Sequence, residues 1–259
     1  MVDALVIAGG KGKDKLRSDS EVAAEALIPI GNKFMVEYVV EALQASAQVE
    51  RIVVVGPLVE IQKVFSHKPD IILAMEGESA IDSVLNGIEM LNSNGKILIV
   101  TADIPLINAA AIEDFLQACN DSSVDLYYPI VPKEANEAKY PTVKRTYVTL
   151  REGIFTGGNM FLVNPKIVAR CAVRGRQLVK LRKSPVALSG LIGWGFILKL
   201  LLKMLSLKEV EQKFSDLLGI KGRAVVSAYP EIGIDVDKPS DLQLVNEVIS
   251  PSPREKGIP

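Results

Sequence analysis

Short apolar runs rich in β-branched residues alternate with segments of helical periodicity in the first half of the chain. Apolar residues over 35–43 recur at helical spacing, and a second helix is predicted over about 79–91. Strands that are apolar throughout suit a parallel sheet covered by helices on both faces. The pattern therefore predicts an α/β fold built on a single doubly wound, mostly parallel sheet. Its predicted strands are residues 4–7, 52–55, 71–73 and 97–100.

The second half of the chain has shorter and less regular patterns. A helical segment is predicted to end at about Leu218, with Gly219 as its C-cap, and Pro239 and Ser240 open a last helix over 241–248. The simplest organisation is one domain over residues 1–249, with a helical insertion at about 165–222 and a flexible tail at 250–259. The predicted strands of this half are residues 142–150, 158–163, 224–227 and a return strand over 233–237.

Composition narrows the class of protein. The 259 residues are 48% hydrophobic and 24% charged, which is typical of a soluble globular protein. A formal net charge of −1 argues against a general nucleic-acid binder. The only two cysteines, Cys119 and Cys171, form no metal-ligand pattern and suit a reducing cytosol. The start of the chain has no pattern of a signal peptide, so a cytoplasmic location is expected.

A glycine-rich loop follows the first predicted strand. Ala8, Gly9, Gly10 and Gly12 allow backbone N–H groups to approach a base or phosphates closely, and Lys13 adds positive charge. The loop matches neither the P-loop nor the dinucleotide fingerprint. Taken alone, it is compatible with a phosphate cradle or with a flexible turn carrying solvated lysines.

Five motifs in order resemble nucleotidyltransferases of the nucleotide-diphospho-sugar transferase-like fold, and most closely the molybdenum-cofactor guanylyltransferase-like and methylerythritol-phosphate cytidylyltransferase-like groups. The resemblance covers most of the chain except about 165–222. The motifs are the loop at 4–12, the segment 26–35, the stretch from Gly77 through 82–88, the Thr-Ala-Asp-Ile-Pro turn at 101–105 with Gly158-Asn159 after it, and the closing segment 233–242.

The resemblance implies roles for individual residues. Ala8, Gly9, Gly10, Gly12, Gly77 and Ser83 would bind the nucleotide, and Lys13 would contact its phosphates. Gly158 and Asn159 would contact the acceptor, and one of Lys144 and Arg145 could bind the acceptor's phosphate, for which we select Lys144. A simple tight turn explains Gly158 and Asn159 about equally well. Simple surface charge explains Lys144 and Arg145 about equally well.

Two positions depart from the family pattern. Lys13 stands where the family has an arginine, which keeps the charge but loses the bidentate fork. Glu25 stands where a lysine usually precedes Ala-Leu. A carboxylate there would repel a triphosphate unless a nearby cation compensates, so the substitution bears on turnover rather than on the fold.

Acidic residues at the ends of two predicted strands suggest a metal site. Magnesium takes oxygen ligands and commonly only one or two carboxylates together with phosphate oxygens. Asp103 follows a buried strand and fits the first ligand, and Asp235 or Asp237 could supply the second. Alternating residues of a strand face opposite sides, and Asp237 could instead cap the last helix, so we select Asp235. The implied catalytic set is Lys13, Asp103 and Asp235, with Mg²⁺ as cofactor.

The unmatched insertion is basic over 170–183 and strongly apolar over 185–205. Its length would permit a membrane span, but a crossing would place Asp235 and Asp103 on opposite sides of the membrane. The segment is then either a buried or subunit-interface helix, compatible with a homodimer, or a peripheral membrane contact through 170–205.

The function expected from these features is transfer of a nucleoside monophosphate from an NTP to a phosphorylated small-molecule acceptor, with release of pyrophosphate. Two alternatives remain at this point. One is a glycosyltransferase of the same fold, and the other is a nucleotide-binding protein with degenerate catalysis, for which Glu25 is the main argument. The sequence specifies neither the base nor the acceptor.

Overall fold

The structure, a computed structural model, describes residues 1–10, 24–181, 190 and 192–250. The described strands form a nine-stranded sheet and a separate two-stranded hairpin of β2 and β3. The strands are β1 (Val2–Ile7), β2 (Pro29–Ile30), β3 (Lys33–Phe34), β4 (Val49–Gly56), β5 (Ile71–Met75), β6 (Ile97–Thr101), β7 (Leu126–Pro132), β8 (Val148–Leu150), β9 (Gly153–Gly157), β10 (Met160–Val163) and β11 (Gly222–Val226).

Helices connect these strands and cover both faces of the large sheet. Two short 3₁₀ turns accompany them, at Glu25–Leu27 and Pro230–Gly233. The described α-helices are α1 (Met35–Ala45), α2 (Leu58–Phe65), α3 (Ala80–Leu91), α4 (Ala109–Ala118), α5 (Lys133–Lys139), α6 (Pro165–Leu181), α7 (Trp194–Leu201), α8 (Leu207–Leu218) and α9 (Pro239–Ile249).

The sheet has a parallel half and an antiparallel half. Strands β5, β4, β1 and β6 lie side by side and parallel, in that order. Strand β10 pairs antiparallel with β6 and also with β7, whose other edge pairs parallel with β11. The chain winds outward from β1 to β5 and then returns to β6 on the other side of β1. In such sheets ligands bind beyond the carboxyl ends of the strands at this reversal, here between β1 and β6.

Alternating residues of the central strand face two separate apolar cores. Val6 of β1 lies in a core with residues of α1, α2 and α4, whereas Leu5 lies in a core with residues of α3 and α6. Gly87 lets α3 approach the second face closely, because a Cβ at that position would lie 2.0 Å from Leu5 Cδ1. The expected doubly wound α/β sheet, with helices on both faces, is confirmed.

The antiparallel half differs from the expectation at two segments. Of the strand predicted over 142–150, only Val148–Leu150 pairs in the sheet. The segment before it is not part of a strand, and its Arg145 forms an ion pair with Asp235. The return strand predicted over 233–237 is wrong, because a 3₁₀ turn ends at Gly233 and residues 234–237 join no ladder. The N–H of Val236 donates instead to the carbonyl of Asp103, at 2.9 Å.

The insertion is helical in its described part. Ser206 and Glu209 form a capping box that begins α8, and the helix ends at Gly219 in the left-handed conformation, as predicted. Helix α7 has no buried residue, so it is not a core helix. Phe196 and Leu200 pack against an apolar cluster on the sheet, while Trp194 is 68% exposed. None of the helices in the described ranges combines the length and apolarity needed to cross a bilayer.

Candidate active site

The glycine-rich turn lies at the reversal of the sheet, at the carboxyl end of β1. The N–H of Ala8 donates to the carbonyl of Val55 at 2.7 Å, so Ala8 still belongs to the sheet hydrogen bonding. Gly9 and Gly10 then leave the sheet, and Gly10 has φ +121°, in the region that favours glycine. Gly12 and Lys13, which were predicted to bind the nucleotide and its phosphates, lie outside the described residues.

A carboxylate that the sequence analysis did not select lies against this turn. Glu76 follows β5 and accepts a hydrogen bond from the N–H of Gly10, with an N to Oε2 distance of 3.1 Å. A Cβ at Gly9 would lie 2.2 Å from the same oxygen, so the absence of a side chain there allows Glu76 to approach. The Glu76 carboxylate therefore accepts a hydrogen bond from a loop N–H that was expected to bind the nucleotide. It also places negative charge beside the loop.

Gly77 and Ser83 form a compact turn between β5 and α3. The N–H of Gly77 donates to the Ser83 hydroxyl at 3.0 Å, and Ser83 is only 4% exposed. A Cβ at Gly77 would lie 2.4 Å from the Cβ of Asp82, which explains the glycine by packing alone. Both residues therefore hold the wall beside the glycine-rich turn, and their contact with a base stays a prediction.

Helix α6 reaches across to this wall. Arg176 forms an ion pair with Asp82 in the first turn of α3, next to Ser83. The ion pair lowers the pKa of Asp82. Arg176 of the insertion thus contacts the wall formed by Gly77 and Ser83. The two partners are 94 residues apart, so periodicity cannot show this contact.

Asp103 lies beyond β6, beside the end of β1. Ile7 of β1 pairs with Thr101 of β6, and the next N–H, that of Ala102, donates to the Ile7 carbonyl at 3.0 Å. This register brings the Asp103 turn level with the Gly9-Gly10 turn. The Thr101 hydroxyl donates to Asp103 Oδ1 at 2.5 Å and orients the carboxyl. The region between the Gly9-Gly10 turn, Asp103 and Asp235 is called the cleft below.

The Asp103 carboxyl carries an unfavourable charge in this structure. Removal from solvent raises its pKa to about 6, and the negative charges of Asp235 and Asp237 act in the same direction. The hydrogen bond from Thr101 opposes that rise without cancelling it. The carboxylates of Asp235 and Asp237 therefore lie close enough to Asp103 to disfavour its ionised form.

Asp235 is held by an arginine. Arg145 and Asp235 form an ion pair whose side chains are only 14% and 15% exposed, and the Nε of Arg145 is buried without a partner among the described residues. Asp237 does not cap α9, because Lys238 is the N-cap residue and the N–H of Asp237 donates to Asp241 at 3.1 Å. Lys144, the neighbour of Arg145, is exposed, and its role in acceptor binding stays a prediction.

Strands β9 and β10 pair with the same edge of β7, and Gly158 and Asn159 form the break between them. A Cβ at Gly158 would lie 2.5 Å from Ile232 Cγ2, so packing requires the glycine. The Asn159 N–H donates to the carbonyl of Ile232 and its own carbonyl accepts from Thr101, at 2.9 and 3.0 Å. Asn159 Nδ2 is buried and has no hydrogen-bond partner in the described part of the chain. The hydrogen bonds of Asn159 thus connect β6, which leads to Asp103, with the segment that leads to Asp235.

The described residues contain no group of three or more acidic, histidine or cysteine side chains that converges on a metal. Asp103 lies within electrostatic reach of the carboxylates of Asp235 and Asp237. This set is compatible with an ion that takes its remaining ligands from substrate oxygens and water. It is incompatible with a closed structural zinc site of the usual four-ligand kind.

Comparison with known proteins agrees with this geometry. A hypothetical transferase from Thermus thermophilus is 39% identical and superimposes with a TM-score of 0.81, covering 93% of this chain and 99% of that one. CMP:2-keto-3-deoxy-manno-octonic acid synthetase complexed with CTP shares 14% identity at a TM-score of 0.62, over 96% of this chain and 98% of that one. A 4-diphosphocytidyl-2C-methyl-D-erythritol synthase from Anaerococcus prevotii shares 11% identity at 0.59, over 96% and 95%.

The two more distant structures show the fold alone. A search of curated proteins gave no significant match. The model of the MobA-like NTP transferase domain matches residues 4–179, which include the glycine-rich turn, the Gly77 wall, Asp103 and the Gly158-Asn159 break. The chain therefore belongs to the MobA-like NTP transferase domain family and is a nucleotidyltransferase enzyme.

Proposed function

We propose that this enzyme transfers a nucleoside monophosphate from an NTP to a phosphorylated small molecule and releases pyrophosphate, with Mg²⁺ as cofactor. The observation that carries the proposal is the register of β1 and β6. It places the Gly9-Gly10 turn level with Asp103, and Asp103 beside the segment of Asp235. A nucleotide-binding turn and an acidic cleft thus meet at one edge of the sheet.

The nucleotide side is formed by Gly9, Gly10 and the wall of Gly77 and Ser83, with Gly12 and Lys13 expected to extend it. Glycine amides can approach a base or phosphate closely because no side chain intervenes. Glu76 currently bonds to the Gly10 amide, so a nucleotide that uses this amide must displace its carboxylate.

The donor set fits Mg²⁺. Desolvation and the neighbouring charges of Asp235 and Asp237 raise the pKa of Asp103, and a divalent cation in contact with these oxygens would reverse that electrostatic penalty. We assign Asp103 and Asp235 as the protein ligands. When bound, the ion would neutralise part of the charge on the phosphates.

The reaction needs positioning more than covalent chemistry from the protein. A phosphate oxygen of the acceptor attacks the α-phosphorus of the NTP, a new P–O bond forms, and the bond to the β-phosphate oxygen breaks, so that pyrophosphate leaves with the bonding pair. We infer that Arg145, which neutralises Asp235, also holds the acceptor's phosphate through its remaining N–H groups. Lys144 is expected to assist from the exposed side.

The test follows transfer of label from each α-³²P-labelled NTP in the presence of a small-molecule cell extract and Mg²⁺. We expect a labelled product together with pyrophosphate, and we expect treatment of the extract with a phosphatase beforehand to abolish the product. Asp103→Asn should reduce the rate by orders of magnitude, whereas the matched change Asp114→Asn on the surface of α4 should not.

Other outcomes would overturn the proposal. Release of a nucleoside diphosphate from a nucleotide sugar, without pyrophosphate from any NTP, would identify a glycosyltransferase. Full activity of Asp103→Asn would refute the metal assignment. A product that survives phosphatase treatment of the extract would show that the acceptor carries no phosphate of its own.

A further inference from the structure

An apolar cavity lies beside the proposed acceptor side of the cleft, on the face of the sheet that α8 covers. Its volume is about 440 Å³, which is in the range of small-molecule sites. Tyr128, Ile130, Phe155 and Phe161 line it from the sheet, and Val210 and Phe214 line it from α8.

The two charged residues of the lining, Glu211 and Arg223, already have partners within the protein. Glu211 accepts a hydrogen bond from the N–H of Ala224 at 2.7 Å, and Arg223 interacts with Asp121 at 3.4 Å. Most of the remaining lining is apolar, so a sugar or other polyhydroxyl compound would lose more hydrogen bonds to water in this cavity than it could replace. The lining suits a saturated chain or an aromatic ring.

Tyr128 and Gly157 are the lining residues on the side of the cavity that faces Arg145 and Asp235. A Cβ at Gly157 would lie 1.8 Å from the Tyr128 hydroxyl oxygen, so the two residues touch at the edge of the cavity. Burial raises the pKa of Tyr128, and the charges of Arg145 and Asp235 both act on its hydroxyl, which lies near that ion pair.

Gly157 also faces the acidic segment. A Cβ at Gly233 would lie 3.3 Å from the Gly157 carbonyl oxygen, and Gly233 precedes Asp235 by two residues. Two residues after Gly157, Asn159 bonds to Thr101, which holds Asp103. Residues 157–159 thus contact both the wall of the cavity and the segments that carry Asp103 and Asp235.

We infer that the acceptor of this enzyme is an amphiphilic phosphate, whose apolar chain or ring occupies the cavity under α8 while its phosphate lies at Arg145. The inference rests on the proposed function and names the chemical class of its acceptor. The position fits the chemistry, because Arg145 lies near the Tyr128 hydroxyl, at the edge of a mostly apolar cavity. An occupant with one charged end and one apolar end satisfies both.

The outer surface of the insertion extends the apolar character. Helix α7 packs Phe196 and Leu200 against the apolar cluster that contains Leu150 and Phe155, two residues of the cavity wall. Its other face exposes Trp194 and Leu198. Apolar side chains are therefore found both at the wall of the cavity and on the exposed face of α7.

The inference is tested with n-alkyl monophosphates from methyl to octyl, each below its micelle concentration, titrated calorimetrically into the full chain. Affinity should rise about fourfold per added methylene while the chain enters the cavity. Octanol, which lacks the phosphate, should bind at least tenfold more weakly than octyl phosphate.

Two variants of α8 provide the structural control. Val210→Trp fills the cavity and should reduce the affinity for octyl phosphate at least tenfold, leaving methyl phosphate and NTP binding unchanged. Lys208→Trp adds the same ring at an exposed position of the same helix and should change neither. Thermal midpoints of both variants verify that each is folded.

The outcomes separate this inference from the proposed function. Equal affinity for methyl and octyl phosphate, equal losses in the two tryptophan variants, or equal affinity for octanol would each overturn the amphiphilic acceptor. Intact NTP binding in that case leaves the nucleotidyl transfer standing. A protein that binds no NTP would contradict the proposed function itself, whatever the chain-length series shows.

The same phosphate group can be offered free or in a lipid headgroup. Phosphatidylcholine vesicles with and without phosphatidic acid distinguish these sources. Binding that requires phosphatidic acid and is lost in Val210→Trp identifies a lipid acceptor, and binding of soluble octyl phosphate alone identifies a free one. Vesicle binding that Val210→Trp does not alter would contradict the cavity as the site.

Discussion

Replacing Asp103 by asparagine should stabilise the fold at neutral pH while it removes activity. The substitution keeps the shape and an oxygen that accepts from Thr101, but it removes a carboxylate that burial and two neighbouring aspartates disfavour. An amide in its place meets the remaining carboxylates as a hydrogen-bond donor. Stability and function are therefore expected to move in opposite directions at this position.

The magnitude follows from the pKa of Asp103, which rises from 3.8 to about 6 on folding. At about 1.4 kcal/mol per pKa unit, ionised Asp103 costs the folded state up to about 3 kcal/mol. Because the folded pKa is the higher one, the folded state binds more protons between these values. The cost is therefore absent below about pH 4, grows as the pH rises to about 6, and is constant above that.

Urea unfolding of both proteins at pH 8 and pH 4, in the presence of a chelator, measures the effect. At pH 8 the free energy of unfolding of Asp103→Asn should exceed that of the unaltered protein by as much as about 3 kcal/mol, and at pH 4 the difference should nearly vanish. Mg²⁺ added at pH 8 should stabilise the unaltered protein more than the variant. A variant that is less stable at pH 8, or equally different at both pH values, would refute the electrostatic account.

Two further substitutions and one thiol modification test other parts of the structure. Glu76→Gln keeps an acceptor for the Gly10 amide but removes its negative charge, so calorimetry should show tighter NTP binding by about 1 kcal/mol; weaker binding would mean that the carboxylate contacts the nucleotide. Gly87→Ala would place a Cβ 2.0 Å from Leu5 Cδ1 and should lower the free energy of unfolding by about 1–3 kcal/mol, and an unchanged urea midpoint would contradict the close approach of α3. Burial raises the pKa of Cys119 to about 12, so a disulfide reagent at pH 8 should modify this thiol far more slowly in the folded than in the urea-unfolded protein, and equal rates would contradict its burial.

The parallel half of the fold could be predicted because its signals are local. Apolar runs such as 52–55 and 97–100 mark strands that are buried on both faces, and the carboxyl ends of parallel strands meet at one edge. The position of Asp103 beside the Gly9-Gly10 turn follows from that rule. The predicted residues of the loop beyond Gly10 lie outside the described part of the chain.

The side-chain partners at the site could not be predicted in the same way. Arg145 and Asp235 are 90 residues apart, and Glu76 and Gly10 are 66 apart, so only the tertiary fold brings them together. Periodicity assigned Arg145 to a strand, whereas the segment is irregular. The one available signal for Glu76 was its position directly after β5, at the same edge of the sheet as the loop.

Strand β7 has a consequence for how this enzyme could acquire new substrates. One edge of β7 pairs with β10, which adjoins β6, the strand that leads to Asp103. The other edge pairs with β11, which lines the cavity together with α8. Substitutions in β11 and α8 can reshape one compartment without altering the register of β1 and β6. Selection, or a designer exchanging the insertion between relatives, can thus change what receives the nucleotide while the part that holds the nucleotide is inherited intact.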